Sequence, residues 1–272
     1  MKMRNITLAL LFTTALLSGF ALVNAMFFNR VMDWTTPVNT LILFAFALLH
    51  GWQRLGWKRI LLMFVTVTAV SLAFESYGVA TGRIYGPYHY TDMLGPKFLG
   101  LVPILIPIAW FMMIYASYLI ADLVVPAGYG SKASRRLLVA AVTGIAMTAW
   151  DLAMDPMMVA GGNWVWEVPG AYFGIPLQNF WGWWLTTFSA LVVYLILAEL
   201  VIKQPGATSE IPLEWAIYAY AITGISTVWV DFIFDMAGPG LVGLFAMLPW
   251  VVIGLALAGK NKTARARLRD SY

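Results

Sequence analysis

The sequence predicts an all-α protein: a polytopic transmembrane helical bundle of about eight spans, or seven if the weakest one does not cross. Three observations predict this fold class. Hydrophobic residues make up 61% of the 272 residues and charged residues 11%, whereas about 25% of a soluble domain is charged. The hydrophobic residues form runs close to the ~20 residues that a helix needs to span a bilayer. Lys and Arg concentrate in alternate connecting segments, which is typical of membrane proteins.

Eight apolar runs are long enough, or nearly so, to cross a bilayer. They cover residues 6–27, 36–52, 60–80, 100–125, 137–158, 181–202, 212–236 and 240–258. The second run is the weakest, because it is short and contains Asn39 and His50. The first run resembles a signal peptide that ends at Val23-Asn24-Ala25, but its apolar stretch of about 18 residues is longer than a usual signal core. We therefore predict a retained span.

The basic residues predict how the helices are oriented. Fourteen of the 17 Lys and Arg residues fall in one set of alternate segments, and the other set contains only Arg30, Arg83 and Lys97. By the positive-inside rule, this asymmetry predicts that both termini lie in the cytoplasm. We expect the basic tail 259–272 to contact anionic lipid rather than nucleic acid. No linker divides the chain, so we predict one integral membrane domain over residues 1–272.

Carboxylates inside the apolar runs are the most informative residues, since an Asp at a helix centre costs about 2.5–3.5 kcal/mol on insertion scales. Five such acids occur near the outward ends of three runs: Glu75, Asp151, Asp155, Asp231 and Asp235. The i, i+4 spacing of each Asp pair predicts that both members share one helix face. Thr143-Gly144-Ile145 and Thr223-Gly224-Ile225 precede the two pairs at matching distances. This match suggests an internal repeat.

Two connecting segments on the same side as these acids, 81–99 and 159–180, are long and rich in aromatic residues, Gly and Pro. Non-helical backbone at membrane depth must be shielded from lipid, so both segments suit a lid that dips back over the acids. An aromatic belt at the headgroup level is the alternative interpretation. Asp92 and Glu167 lie in these segments and are either solvated or part of the lid.

Clustered carboxyl groups in apolar surroundings suit general acid catalysis. Burial disfavours the charged form, and so does a neighbouring carboxylate, so that one acid stays protonated and can donate its proton. An ionised neighbour can orient water or take a proton back. The faces of Trp and Tyr rings stabilise positive charge, and Trp150 and Trp229 each lie close to an Asp pair. Packing between helices is the alternative role for both.

Other reaction classes find less support in the sequence. The chain contains no cysteine and two histidines, which excludes disulfides and thiolate ligands. His50, at the inner end of its span, is predicted to be structural or interfacial, whereas His89 could reach the acids from the lid. Asp pairs can hold Mg²⁺ for diphosphate chemistry, but Arg83 and Lys97 are the only nearby basic residues to bind phosphate. A proton-coupled transporter would need a path to both faces, yet the acids gather at one.

Three strings resemble a known family: Phe74–Gly82 followed by Tyr85–Tyr90, Trp150–Pro156, and Tyr172–Trp184. Together they resemble the integral-membrane carotenoid biosynthesis family of the gamma-carotene hydratase and bisanhydrobacterioruberin hydratase type. The resemblance covers about residues 60 to 250. It implies that water is added across the terminal 1,2 double bond of an acyclic, lipid-soluble carotenoid, through a tertiary carbocation. It implies no cofactor or metal, a bacterial or archaeal plasma membrane location, and association with other carotenoid biosynthesis enzymes.

On this resemblance, the acids that close the three apolar runs become candidate catalytic residues. We expect one of Glu75, Asp151 and Asp155 to protonate the alkene, and Asp231 and Asp235 to complete the cluster. Further candidates for binding the substrate or stabilising the cation lie within these strings or, for Trp229, beside the second Asp pair: Tyr88, His89, Trp150, Trp229 and Asn179. The spacing does not decide which acid takes which role, nor which carotenoid is the substrate.

Overall fold

The computed structural model describes residues 2–28, 32, 34–202 and 211–270, with side chains up to Lys260. This part of the chain forms eight α-helices: α1 (Lys2–Phe28), α2 (Thr35–Leu55), α3 (Trp57–Thr81), α4 (Leu105–Val124), α5 (Lys132–Ala160), α6 (Leu177–Val201), α7 (Glu214–Ile233) and α8 (Ala237–Asp270). Each helix corresponds to one predicted span, which confirms the transmembrane helical bundle. Among the described residues seven helices are long and apolar enough to cross a membrane, and α2 is not one of them.

Every helix differs from its predicted run at one end or both, and two of these differences shorten the run by three residues or more. The helix α4 begins at Leu105 rather than at 100, because the two-residue strands β2 (Lys97–Phe98) and β3 (Val102–Pro103) pair antiparallel before it. The helix α7 ends at Ile233 rather than at 236. Arg30 and Lys203 lie outside the described residues, as do the side chains of the basic tail beyond Lys260. The cytoplasmic location of the termini therefore stays a prediction.

The helix α4 occupies the centre of the bundle and packs against α2, α3, α5, α7 and α8. In its most apolar stretch 67% of the residues are buried, against 22% in α1, which packs on α2 and α7 at the edge. Large apolar side chains such as Leu16, Leu200 and Phe245 point outward from the peripheral helices. An apolar exterior around a buried central helix is the arrangement expected in lipid.

The two long aromatic segments meet in a two-stranded ribbon. Strand β1 (Tyr88–Tyr90) pairs antiparallel with β4 (Trp164–Trp166), with Tyr88 opposite Trp166 and Tyr90 opposite Trp164. Successive side chains in a strand point to opposite faces, so these four aromatic residues share one face, and His89 and Val165 share the other. We call this β1–β4 ribbon the lid, because its aromatic face lies against the helices.

A proline inside α5 is accommodated by a tyrosine from the segment between β4 and α6. Pro156 lies within the helix, and without an N–H it cannot bond to the carbonyl of Leu152 four residues earlier. The Tyr172 hydroxyl donates a hydrogen bond of 2.7 Å to that carbonyl. The bond satisfies a group that lipid could not, and it anchors the segment beside the acids of α5.

The lid is held to the helices by Tyr85, whose ring is wedged between two glycines. A Cβ atom on Gly78 of α3 would lie 2.7 Å from the Tyr85 ring, and one on Gly182 of α6 would lie 2.5 Å from it. The Tyr85 hydroxyl shares a hydrogen bond of 2.7 Å with the hydroxyl of Thr186. Only residues without a side chain allow the ring to enter between α3 and α6.

We expect Gly182→Ala to lower thermal stability, because the added methyl group would overlap both the Tyr85 ring and the Ile84 carbonyl oxygen at 2.8 Å. Overpacking of this kind costs about 1–3 kcal/mol. The melting temperature of the detergent-purified protein measures the effect. Gly19→Ala, where nothing lies within 4 Å, is the matched control. Equal melting temperatures for Gly182→Ala and the wild type would contradict the wedge.

Candidate active site

Glu75, on the last turns of α3, is buried and surrounded by hydrogen-bond donors. Its Oε1 accepts a bond of 2.9 Å from the indole nitrogen of Trp110 on α4. Its Oε2 accepts bonds from the hydroxyls of Tyr88 and Tyr90 in the lid, the latter at 3.0 Å. Three donors around one carboxyl group favour its ionised form and so oppose the effect of its burial, which favours the neutral form. Glu75 therefore joins the lid to α3 and α4.

The tyrosines that bind Glu75 remain neutral donors at ordinary pH. Burial raises the pKa of the Tyr88 and Tyr90 phenols well above their usual value, and the nearby Glu75 carboxylate raises it further. A phenol that stays protonated can donate to a carboxylate at any pH at which the protein works. The lid therefore presents fixed O–H donors to the site.

Asp155 on α5 has a matching environment. Its Oδ1 accepts a bond of 2.7 Å from the indole nitrogen of Trp164 and a longer one of 3.4 Å from that of Trp166. Its Oδ2 accepts a bond of 2.6 Å from the amide nitrogen of Asn179. Both indoles belong to β4, so the second strand of the lid binds the second acid.

Asn179 connects Asp155 to Asp151. It lies in the first turn of α6, and its amide nitrogen also donates a bond of 2.9 Å to Oδ2 of Asp151. Asp151 and Asp155 are both buried on one face of α5, as the i, i+4 spacing predicts. The Oδ1 atom of Asp151 has no hydrogen-bond partner among the described residues. Two carboxyl groups and one amide thus form a connected buried group.

A cavity of about 200 Å³ lies beneath the lid, and both Glu75 and Asp155 line it. Tryptophan and tyrosine side chains form much of its wall near these acids. The rings of Trp110 and Trp183 stack with centroids 4.2 Å apart, and Trp150 meets Trp183 edge-on at 6.0 Å. Ring faces in such an enclosure attract positive charge. The site therefore combines proton-transferring groups with an aromatic, largely apolar chamber.

Five of the predicted site residues line this cavity together: Glu75, Tyr88, Trp150, Asp155 and Asn179. Asp151 lies behind them and is connected to Asp155 through Asn179. The structure thus brings together six residues from α3, α5, α6 and the lid that are distant in sequence. Their roles stay a prediction at this point.

The structure does not bring the second Asp pair to the cavity. Asp231 is buried on α7, and neither of its oxygens has a partner among the described residues. The prediction that Asp235 shares a helix face with it is wrong, because α7 ends at Ile233 and Asp235 is exposed with a φ of 58°. The Gly238-Pro239-Gly240 sequence that follows begins a new helix instead of extending α7.

Two further predicted residues point away from the acids. The His89 side chain is on the outer face of the lid, 56% exposed, with Nδ1 3.6 Å from the Glu167 carboxylate. The Trp229 ring is on the outside of α7 and contacts Phe232. Neither residue lines the cavity. The alternation of β1 places His89 opposite in direction to Tyr88 and Tyr90.

Several residues that the structure places in the site are not among those predicted from the sequence. Trp110 and Tyr90 bind Glu75, Trp164 and Trp166 bind Asp155, and Trp183 lines the chamber. Aromatic residues alternate with other residues at 88 and 90 and at 164 and 166. This alternation is typical of a strand and predicts that the two aromatic residues of each pair lie on the same face. Trp110 and Trp183 lie within apolar helices, where nothing in the sequence distinguishes a site residue from packing.

His50, which is also buried, lies at the opposite end of the bundle from the acids. Its Nε2 bonds to the Pro212 carbonyl at 3.0 Å and its Nδ1 to the Tyr115 hydroxyl at 2.5 Å. Because a carbonyl only accepts, Nε2 carries the proton and Nδ1 accepts from Tyr115. Both ring nitrogens are occupied, so His50 joins α2, α4 and the start of α7, in agreement with the structural role predicted for it.

Within the described chain, no group of three or more His, Cys, Asp or Glu side chains is placed to hold a metal ion. The carboxylates instead have indole, phenol and amide partners.

Comparison with known proteins identifies two similarities. A family model described as "Carotenoid biosynthesis protein" matches residues 35–249, from the first residue of α2 into α8. The chain is 34% identical over 137 residues to the bisanhydrobacterioruberin hydratase of Haloarcula japonica. That similarity covers 50% of this chain and 45% of the relative, so the chain spans about half the length of the curated relative that it matches. No solved structure matches the chain.

We expect Glu75→Gln to loosen the lid, because Tyr88 and Tyr90 lose a charged acceptor and bonds to charged groups contribute about 1.5–3 kcal/mol each. Hydrogen–deuterium exchange should become at least tenfold faster in peptides that cover residues 86–91 and 163–167. Glu167→Gln, which changes an exposed acid on the outer face of the lid, should leave exchange unchanged. Equal protection in all three proteins would contradict docking through Glu75.

Proposed function

Because this chain belongs to the carotenoid biosynthesis protein family, we propose that it hydrates the terminal 1,2 double bond of an acyclic carotenoid. The observation that carries the proposal is the pair of acids, Glu75 and Asp155, in one aromatic cavity inside a membrane bundle. Alkene hydration needs a proton donor, walls that tolerate a cation, and a group that takes a proton from water. The cavity contains a residue suited to each need.

The proton donor in this proposal is Asp155, supported by Asp151. Two carboxyl groups that share one amide repel each other when both are ionised, so the pair is suited to hold one proton. Asp155 lines the cavity and Asp151 does not, which makes Asp155 the member that reaches the substrate. Transfer of its proton to C2 of the alkene leaves a tertiary cation at C1.

The aromatic chamber stabilises this cation. The faces of Trp110, Trp150 and Trp183 enclose the space next to the acids, and a desolvated cation–π contact contributes about 2 kcal/mol or more. The lid closes the chamber from one side, so that bulk water has limited access to the cation. Controlled entry of water would favour one defined alcohol product.

Glu75 completes the reaction in this scheme as the base. Its three donors favour the carboxylate form, which can accept a proton from water as the oxygen attacks C1. The product is a tertiary alcohol, and the proton on Glu75 must return to Asp155 before the next turnover. The hydratase activity of the Haloarcula japonica relative, as its name states it, supports this reaction class.

The membrane location fits a substrate that dissolves in lipid. A cavity of about 200 Å³ accommodates the end of a long polyene but not its whole length. The remainder of the molecule would extend between helices into the bilayer. This arrangement explains why a chain that adds water is built almost entirely of apolar helices.

We expect Glu75→Gln, Asp151→Asn and Asp155→Asn to abolish most hydration, because general acid–base groups contribute about 10²–10⁴-fold. Expression of each variant in a lycopene-producing bacterium, followed by chromatography and mass detection of the pigments, measures the conversion. Asp235→Asn is the matched control, since Asp235 is exposed and outside the cavity. Full conversion by all of the buried-acid variants, with each protein present in the membrane, would rule out acid catalysis by these residues.

Chelation separates this proposal from a Mg²⁺-dependent prenyltransferase. Water addition by carboxyl groups needs no metal, so EDTA should leave the rate of hydration in purified membranes unchanged. A loss of activity that added Mg²⁺ restores would favour diphosphate chemistry instead. As a control, a prenyl diphosphate is added to the same membranes, and it should yield no elongated pigment.

A further inference from the structure

The cavity that contains the acids also has a wall of small polar side chains. We call it the polar wall and define it by its buried and half-buried members on α2 and α7, which are Thr35, Asn39, Thr40, Thr223, Ser226 and Thr227; the exposed Thr36 lines the cavity beside them. On each helix the spacing of these residues places them on one face. A hydrocarbon substrate forms no hydrogen bonds with such groups. Contact with the polyene therefore does not explain the polar wall.

The hydroxyl groups of the polar wall already donate hydrogen bonds within their own helices or to the residues just before them. Each of the five donates to a backbone carbonyl, such as Thr223 to Ala219 at 3.0 Å and Ser226 to Ile222 at 2.7 Å. A carbonyl only accepts, so each hydroxyl oxygen is left with lone pairs. The wall therefore offers acceptors rather than donors to anything in the cavity.

Asn39 adds to this pattern. Its amide nitrogen donates to the Ser18 hydroxyl of α1 at 3.1 Å, and its Oδ1 is buried without a partner among the described residues. A buried acceptor without a partner costs about 1–3 kcal/mol. A ligand with an O–H group near this position would remove that cost.

The polar wall is continuous with the aromatic chamber. The indole nitrogen of Trp150 donates to the Thr227 hydroxyl oxygen at 3.2 Å, and the Trp150 ring meets Trp183 edge-on. A small molecule held at the polar wall would thus be adjacent to the rings that surround the reacting end of the substrate.

We propose that the polar wall is a binding subsite for an O–H donor and that, in the hydration on which this inference rests, the donor is the attacking water. The π electrons of the alkene take the proton of Asp155 at C2, and C1 becomes the cation. A lone pair of the bound water forms the C1–O bond, and the released proton passes to Glu75. One water is added and nothing is oxidised or reduced. A hydroxyl already present on a carotenoid is the other source of the same chemistry.

The test uses Thr223→Val and Asn39→Leu, with Thr13→Val as the matched control. Thr13 makes the same bond to the carbonyl four residues earlier, to Ala9 at 2.9 Å, but is exposed on the outside of α1. Each purified protein is reconstituted into phosphatidylglycerol-containing liposomes with lycopene in deuterium oxide. Hydration should fall at least tenfold in both polar-wall variants and stay unchanged in Thr13→Val.

Deuterium in the recovered lycopene distinguishes a missing water from a missing acid. A cation that forms but finds no water loses a proton again, so the polar-wall variants should return deuterated lycopene at the wild-type rate or faster. Asp155→Asn, which lacks the acid, should show neither hydration nor exchange. Loss of exchange together with hydration in both polar-wall variants would overturn the proposal, because the wall would then act on the acid or on the fold.

A second substrate distinguishes the two sources of the O–H group. If the wall binds a carotenoid hydroxyl, both variants should hydrate lycopene normally and show at least a tenfold higher KM for 1-hydroxylycopene; this result supports the subsite and reassigns its ligand. Wild-type rates on both carotenoids for both variants would overturn the subsite. Absence of hydration and exchange in the wild-type protein would contradict the proposed function itself.

Discussion

The hydrogen bonds between the aromatic face of the lid and two buried carboxylates connect the helical bundle to its site. An Asp at a helix centre costs about 2.5–3.5 kcal/mol on insertion scales, and each bond to a charged group contributes about 1.5–3 kcal/mol. Glu75 and Asp155 each accept three bonds, so these bonds offset the cost of placing in the membrane both the Glu75 carboxylate and the charge that Asp151 and Asp155 share. The lid depends on the acids in turn. A ribbon of two three-residue strands is not stable alone, and the hydrogen bonds to the acids hold it against the helices.

The same bonds prepare the site for chemistry. Donors fixed in advance around a charged group need no rearrangement during a reaction, and the buried phenols of Tyr88 and Tyr90 keep their protons. The two acids differ in their partners. Glu75 is surrounded by phenol and indole donors, whereas Asp155 shares the Asn179 amide with a second carboxyl group, Asp151. In the proposed reaction, these different surroundings assign one carboxyl group to give a proton and the other to take one.

Hydropathy alone predicts the bundle well, because a run of about 20 apolar residues in a membrane forms few structures other than a spanning helix. It also predicts the buried pair Asp151 and Asp155, since an i, i+4 pair inside a continuous helix shares a face. The same reasoning fails for Asp235, because α7 ends at Ile233, before this residue, and Gly238-Pro239-Gly240 already belongs to the first turn of α8. The pairing of β1 with β4 depends on tertiary contact between segments far apart in sequence. For that reason the tryptophans on Asp155 do not follow from local patterns, whereas the alternation along residues 88–90 is enough to separate His89 from the two tyrosines.

Labelled water tests the central claim most directly, that this membrane protein adds water to a carotenoid end group. The wild-type protein in liposomes is incubated with a set of acyclic carotenoids in water enriched in ¹⁸O. The pigments are then separated by chromatography, and their masses are measured by mass spectrometry. The account predicts a more polar pigment with an unchanged chromophore that is heavier by one labelled water, with the label on a tertiary alcohol. Recovery of every carotenoid unchanged and unlabelled, with the protein folded and the lid protected from exchange, would contradict it.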